Sequence, residues 1–445
     1  MATPAAHLAE QQKSSSGISH AWRALRHRNF RLFFAGQSIS LIGTWMTRVA
    51  TSWLVYRLTG SAFLLGLVGF MGQIPTFLLA PFAGVWVDRL DRRKVLLWTQ
   101  ALAALQSLML AWLTLSKRIT IGEVLWLSAF QGLINAFDMP GRQAFLVQMV
   151  EDRKDLGNAI AINSSMVNLA RLLGPSIAGV VIAGWGEGFC FAADGISYFA
   201  VIASLAMMHI KPLQGRTKTA GSGSRGTVLG QLQEGWTYVS GFAPIRTILL
   251  LFALVSLMGM PFVVLMPIFA SQVLHGGPHT LGMLMAASGV GALVSALSLA
   301  ARKSVLGLGK MIPIAAGSFG AGLILFGLSH VLWLSMLLML LVGFGMMQGM
   351  AASNTIIQTL VTEEYRGRVM SYYTVAFVGM TPFGSLLAGG LGHWIGAPHT
   401  VMITGTVVIL GALWFASRLK ALKVEIRPIY QAMGILPRPV ESDAT

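Results

Sequence analysis

Three charged residues, Arg48, Arg171 and Asp194, stand in the middle of long apolar runs. A charge so placed costs at least ~2.5 kcal/mol on the insertion scale, and usually faces a cavity or a partner. A guanidinium there can hold an anion, and a carboxyl can neutralise a guanidinium or carry a proton. The neighbouring residues have helical spacing. Gln37, Ser40, Thr44, Arg48 and Thr51 are 3, 4, 4 and 3 apart, and Ser164, Asn168, Arg171 and Pro175 are 4, 3 and 4 apart. Each helix therefore carries one polar stripe. At a rise of ~1.5 Å per residue, Asp194 lies at about the depth of Arg48 and is expected to be its counter-ion. Protonation of Asp194 would then free Arg48 for an anion, although a pair that only fixes packing has the same sequence. A second constellation is Gly84, Asp88, Arg89, Arg92 and Arg93, with Asp138 further on. Arg92 or Arg93 is expected to pair with Asp138 in one conformation and release it in another. Gln131 and Asn135 precede Asp138 on the same helix.

The elements that position these residues follow from composition. Of 445 residues 55% are hydrophobic and 11% are charged, against about 25% charged in an ordinary soluble domain. A soluble enzyme is excluded, and 50 glycines and 24 methionines fit closely packed helices in lipid better than short alternating strands. A span needs about 20 mostly apolar residues. Twelve such runs occur: 31–56, 63–87, 95–115, 122–141, 158–183, 189–208, 245–272, 280–301, 311–329, 332–353, 370–392 and 399–417. They are numbered here as spans 1 to 12. With the N-terminus inside, 27 of the 32 Lys and Arg residues fall in inside segments and three fall outside. Both termini are thus expected in the cytoplasm. The net charge of +16 is a topology signal and not a nucleic-acid footprint. The single cysteine, Cys190, excludes an internal disulfide, and no metal-ligand spacing, catalytic set or P-loop is present. No cofactor is called for.

The expected domain plan is a disordered 1–20, six helices in 21–208, a cytoplasmic linker 209–243, six helices in 244–418 and a cytoplasmic tail 419–445. The linker contains Gly221-Ser222-Gly223-Ser224-Arg225-Gly226. Gln148, Gly157, Gly174, Ala178, Gly179 and Gly186 recur at a constant offset of 210 as Gln358, Gly367, Gly384, Ala388, Gly389 and Gly396. The pattern points to duplication, hence to two pseudo-symmetric six-helix bundles with a site near the midplane.

After span 2 the chain reads Gly84-Val85-Trp86-Val87-Asp88-Arg89-Leu90-Asp91-Arg92-Arg93-Lys94. This resembles the signature of the major facilitator superfamily, G-x-x-x-D-R/K-x-G-R/K-R/K, with Asp91 in place of the second glycine. An acidic residue there, with Asn29-Phe30-Arg31-Leu32, Asp138-Met139-Pro140-Gly141-Arg142-Gln143 and Arg366-Gly367-Arg368-Val369-Met370, is similar to the branch of transmembrane secretion effectors that includes the enterobactin exporter. The resemblance covers roughly residues 21 to 420. It implies an all-α membrane fold of twelve helices, in which the loop after span 2 closes the inner side of one conformation. Gly84 would let two helices approach, and Asp88 would accept from a helix N-terminus. Gly174, Pro175 and Gly179 are similar to the antiporter signature of export-type members and would bend and thin span 5. Ala170 and Met166 stand where the full signature has glycines.

The resemblance further implies a secondary transporter and not an enzyme. It is read as proton-coupled export of small amphipathic molecules by a monomer in the bacterial inner membrane. A non-transporting sensor or scaffold of the same fold, or an importer, is the alternative. Gln37, Thr44, Arg48, Gln131, Asn135, Asn168, Arg171, Met258 and Met347 are the expected cavity residues, the methionines because soft thioethers suit an adaptable apolar pocket. Asp194 is the expected coupling residue. Two arginines against one carboxylate favour neutral or anionic cargo with an apolar body.

Overall fold

A computed structural model describes residues 23–150, 152–209, 228–302 and 304–437. Predicted features at 1–20 and at Gly221 to Gly226 lie outside the described residues. Those described are helical wherever they are regular, and each predicted span falls on a helix in the expected order. Span 1 is Arg28–Thr59, span 2 is Ala62–Met71 with Ile74–Arg89, span 3 is Arg92–Leu115, span 4 is Ile121–Met149, span 5 is Leu156–Trp185 and span 6 is Glu187–Met207. Spans 8, 9, 10 and 12 are Pro278–Ala300, Leu308–Leu328, Leu332–Leu360 and Ala397–Ala432. Spans 7 and 11 are broken by π-helical turns, Val255–Gly259 and Phe269–Val273 in the first and Val375–Gly379 in the second.

Ten of these helices or joined helical runs are long and apolar enough to cross a membrane. The other two are spans 1 and 4, of 32 and 29 residues. Length is ample in both. Their apolarity is diluted by Arg48 with its stripe in span 1 and by Gln131, Asn135 and Asp138 in span 4, which places most of the interior polar candidates on the two least apolar helices. Two further boundaries differ from the sequence expectation. The linker holds a helix, Val228–Gly241, whose Glu234 pairs with Arg368 at 2.8 Å and whose Tyr238 stacks on Tyr365 at 4.5 Å. The last helix runs to Ala432, because Arg418, Lys420, Lys423 and Arg427 are compatible with a helix that continues past the apolar stretch.

Two compact units partition the chain, one bounded by Met1–Thr51 and Leu78–Gln214, the other by Ser52–Phe77 and Gly215–Thr445. In the first, Phe30, Phe33, Phe145, Met149, Met166 and Leu205 form one buried cluster around the starts of spans 1 and 5 and the ends of spans 4 and 6. A short 3-10 turn, Arg23–Arg26, is tied onto this cluster. Arg23 Nε and Nη2 donate to Asp155 Oδ1 at 2.7 and 2.5 Å, and the Ala24 amide donates to Asn158 Oδ1 at 2.9 Å. In the second unit the ring pairs Phe269–Phe326 (4.5 Å) and Phe262–Phe319 (6.2 Å) join spans 7 and 9. Ser256, in the first π turn, donates to the carbonyl of Phe377 in the π turn of span 11, and the Phe252 ring stacks on Phe377 at 5.0 Å.

The repeat seen in the sequence is carried by the backbone. A Cβ at Gly174 would collide with Trp45 and lie 3.0 Å from the Ile42 carbonyl oxygen of span 1, and one at Gly384 would collide with the Leu257 carbonyl of span 7. In lipid, where apolar burial supplies little drive between helices, such small residues allow the backbone contact that holds them. Each glycine therefore seats the fifth helix of its half on the first.

Candidate functional site

Asp194 is 2% exposed and lies in span 6 against spans 1 and 3. Thr47 Oγ1 donates to its Oδ2 at 2.8 Å, and Ser107 Oγ lies 3.1 Å from the same oxygen. Its Oδ1 has no hydrogen-bond partner. The face of span 1 that meets Asp194 is made by Gly43, where a Cβ would stand 2.8 Å from Oδ1, and by Thr47 one turn on. Arg48 follows Thr47 and is turned about 100° further round the helix. The expected Arg48–Asp194 pair is accordingly not formed: depth agrees, but azimuth does not.

Arg48 instead lies over the ring of Trp45, with its Cζ 4.8 Å from the centroid, and Arg171 of span 5 approaches the same ring at 5.3 Å. The sequence expectation contained both arginines but not the tryptophan between them. Its spacing of three before Arg48 was the available signal, because residues three apart share a helix face. Arg171 Nε is buried without a hydrogen-bond partner. Pro175 supplies no N–H to the Arg171 carbonyl four residues earlier, so that group also lacks its helical partner. Span 5 nevertheless continues through Gly174, Pro175 and Gly179, all three buried, from Leu156 to Trp185. Each cation–π contact is worth about 0.5 to 2 kcal/mol, less than the ~2.5 kcal/mol or more that an interior arginine costs. The two guanidinium groups thus remain incompletely compensated.

The other cavity candidates have surroundings of their own, each within its unit. Gln37 is buried, and Thr44 Oγ1 lies 3.5 Å from the hydroxyl of Tyr198. Gln131 donates to Asn135 at 3.2 Å, one turn apart on span 4, while Asn168 donates to the Ser164 carbonyl of its own helix at 3.0 Å. Met258 falls in the π turn of span 7, a form of helix often found at functional positions, and Met347 is half-buried in span 10.

The loop after span 2 is organised differently from the expectation. Asp138, 2% exposed, pairs with Arg142 on the next turn of its own helix and accepts from Thr99 Oγ1 at 2.9 Å and Gln100 Nε2 at 2.7 Å. Neither Arg92 nor Arg93 reaches it. Arg92 donates to the Ala144 carbonyl at 3.1 Å. Arg93 donates to the carbonyls of Leu205 and Ala206 at 2.9 and 2.8 Å, where the last turn of span 6 leaves acceptors without helical donors. Asp91 caps span 3, accepting from the amides of Arg93 and Lys94 at 3.0 and 3.4 Å, which gives the departure from the superfamily glycine a structural use. Arg89 is exposed. The side chain of Asp88 lies outside the described residues. Among the described residues a Cβ at Gly84 would meet nothing within 4 Å, so the close approach expected of Gly84 is not made here.

Comparison with known proteins agrees with this architecture. Residues 19–433 match the transmembrane secretion effector family. The chain is 26% identical over 398 residues to the staphyloferrin A transporter of Staphylococcus aureus (strain NCTC 8325 / PS 47), covering 89% of this chain and 98% of that protein. It is 23% identical over 400 residues to macrolide efflux protein A of Streptococcus pyogenes, covering 87% and 96%. A crystal structure of a bacterial homologue of the human lysosomal transporter Spinster superimposes with a TM-score of 0.66 at 13% identity, over 93% of this chain and 99% of that one. The chain belongs to the transmembrane secretion effector family of the major facilitator superfamily and is a multi-pass membrane transporter of that fold.

Proposed function

We propose that the chain is a proton-coupled secondary exporter of small amphipathic molecules, acting as a monomer in the bacterial inner membrane with both termini cytoplasmic. A relative's name supplies the direction, because macrolide efflux protein A matches over nearly its whole length. The duplicated glycines supply the plan of two six-helix halves, 21–208 and 244–418, that alternate access to a central site. The observation that carries coupling is the setting of Asp194. It is a buried carboxyl with hydroxyl partners, an unpartnered oxygen and, among the described residues, no cation on it. Such a group can gain and lose a proton without breaking an ion pair, so the earlier scheme of alternate pairing with Arg48 is replaced by direct protonation through the Thr47–Ser107 shell.

Purified protein in vesicles with an imposed pH gradient tests this reading. Wild type should concentrate a hydrophobic dye against its gradient. Asp194→Asn should lose that concentration yet retain dye counterflow at equal pH. An Asp194→Asn variant that still concentrates dye removes Asp194 from coupling. Folded wild type without flux across a broad panel of compounds supports a sensor or scaffold, and flux only toward the side bearing the termini supports an importer.

A further inference from the structure

Arg48 and Arg171 share one indole and have no acidic partner among the described residues. Neither guanidinium makes a hydrogen bond or an ion pair with any described residue, and Arg171 Nε is buried with its donor unused. Among the described residues, two carboxylates buried within the spans of the same unit are already engaged, Asp138 by Arg142, Thr99 and Gln100, and Asp194 by Thr47 and Ser107. Both charges lie about 5 Å from the Trp45 ring centre, so they are close enough to each other to repel in a medium of low dielectric. The indole cannot cancel that repulsion, since a π-face attracts each cation but carries no net charge. Arg171 is half-buried and Arg48 exposed, and two like-charged forks on one indole, one of them with a buried and unused N–H, call for a bound anion.

The position is fixed rather than adaptable. Trp45 is held where Gly174 lets span 5 reach span 1, and a Cβ at Gly174 would strike the Trp45 side chain. Arg171 is three residues before that contact, and Arg48 three after Trp45, so the backbone contact that joins the two helices also sets the spacing of the two guanidinium groups. Such preorganisation suits recognition of a planar acceptor, because a guanidinium presents its donors in a rigid fork that matches a carboxylate.

We infer that Arg48, Trp45 and Arg171 form a carboxylate-binding clamp, and that the cargo is an organic carboxylate with an apolar or aromatic body. The inference rests on the transport reading above and narrows it to one charge class. The carboxylate takes the unused donors of both arginines, and the apolar body lies against the surrounding half-buried side chains. Lipophilic cations are excluded by the same two charges.

Protein in nanodiscs of zwitterionic lipid, probed with 1-naphthoate, 1-naphthamide and 1-naphthylmethylamine, tests the inference by thermal shift and by titration. Naphthoate should raise the melting temperature saturably, and the amide and the amine should not. Arg48→Gln and Arg171→Gln should each weaken naphthoate roughly tenfold or more, as expected for loss of a charge-assisted hydrogen bond. Arg171→Lys, which keeps the charge, should weaken it less and guards against a folding failure in the glutamine variants. Equal shifts with the amine or amide, unchanged naphthoate affinity in both glutamine variants, or no shift with naphthoate overturns the clamp. Repeating the titration with phosphatidylglycerol nanodiscs separates cargo from lipid: a shift produced by that lipid and abolished in the arginine variants, with none from naphthoate, assigns the site to a headgroup and also overturns the inference. Transport of a cationic dye that survives Arg48→Gln and Arg171→Gln leaves the exporter standing without the clamp. Selective naphthoate binding with no flux of any compound leaves the clamp standing without the exporter.

Discussion

Asp138 and Arg142 are neighbours on successive turns of span 4, and their ion pair is buried on the carboxylate side, with Thr99 and Gln100 of span 3 completing the shell. Removing one partner of a buried pair strands the other, at a cost of about 3 to 5 kcal/mol. Asp138→Asn and Arg142→Gln should therefore lower thermal stability strongly when made singly and little further when combined, with an interaction energy of about 0.5 to 3 kcal/mol. Arg92→Ala combined with Asp138→Asn should be additive, because Arg92 donates to the Ala144 carbonyl instead. A denaturation series of the single and double variants in detergent measures both cycles. Strong coupling of Arg92 to Asp138 would contradict the arrangement described.

Gly186 and Gly396 both have positive φ, 94° and 82°, where each turns the chain from the fifth helix of its half into the sixth. A side chain there is strained whatever space surrounds it, because with ψ at 171° and 155° both lie in a region kept almost wholly to glycine, at about 1 to 3 kcal/mol for another residue. Gly186→Ala and Gly396→Ala should each lower the melting temperature by an amount consistent with that strain. Gly184→Ala and Gly390→Ala, which also have open surroundings but no positive φ, should leave it unchanged. Equal effects at all four positions would show that the turn geometry is not the cause.

The contact of the N-terminal turn with the start of span 5 is pH-dependent in a defined direction. The hydrogen bonds from Arg23, and then from His27, whose Nε2 lies 3.0 Å from Oδ2, hold the Asp155 carboxyl below its ordinary pKa of 3.8. A depressed folded-state pKa means that the contact stabilises fully above the unfolded value and fades as the pH falls through the folded one. Hydrogen exchange at the Ala24 amide, which donates to Asn158, should thus be constant from neutral pH down to the ordinary carboxylate range and lose protection only below it. Asp155→Asn should expose that amide at every pH. Unchanged protection in Asp155→Asn would remove the carboxylate from the contact.

Apolar runs and the motif after span 2 were sufficient to determine twelve helices in order and the family. Each of these is a property along one dimension, and lipid enforces it because every backbone group in the hydrocarbon must be paired within its own helix. The polar stripes of spans 1 and 5 were legible for the same reason, since helical periodicity is written in the spacing. Pairing between helices is not written there. Asp194 lies at the depth of Arg48, yet meets Thr47, because residue counts give height along a helix and say nothing of its rotation against a neighbour. Asp138 takes Arg142 from its own helix because a partner one turn away needs no interhelical geometry, whereas Arg93 is drawn to the last-turn carbonyls of span 6. Trp45 became part of the site only when Gly174 brought span 5 onto span 1. The tertiary structure alone decides such contacts, because helix rotation in lipid is set by backbone approach at small residues, and which small residues meet depends on all the helices at once.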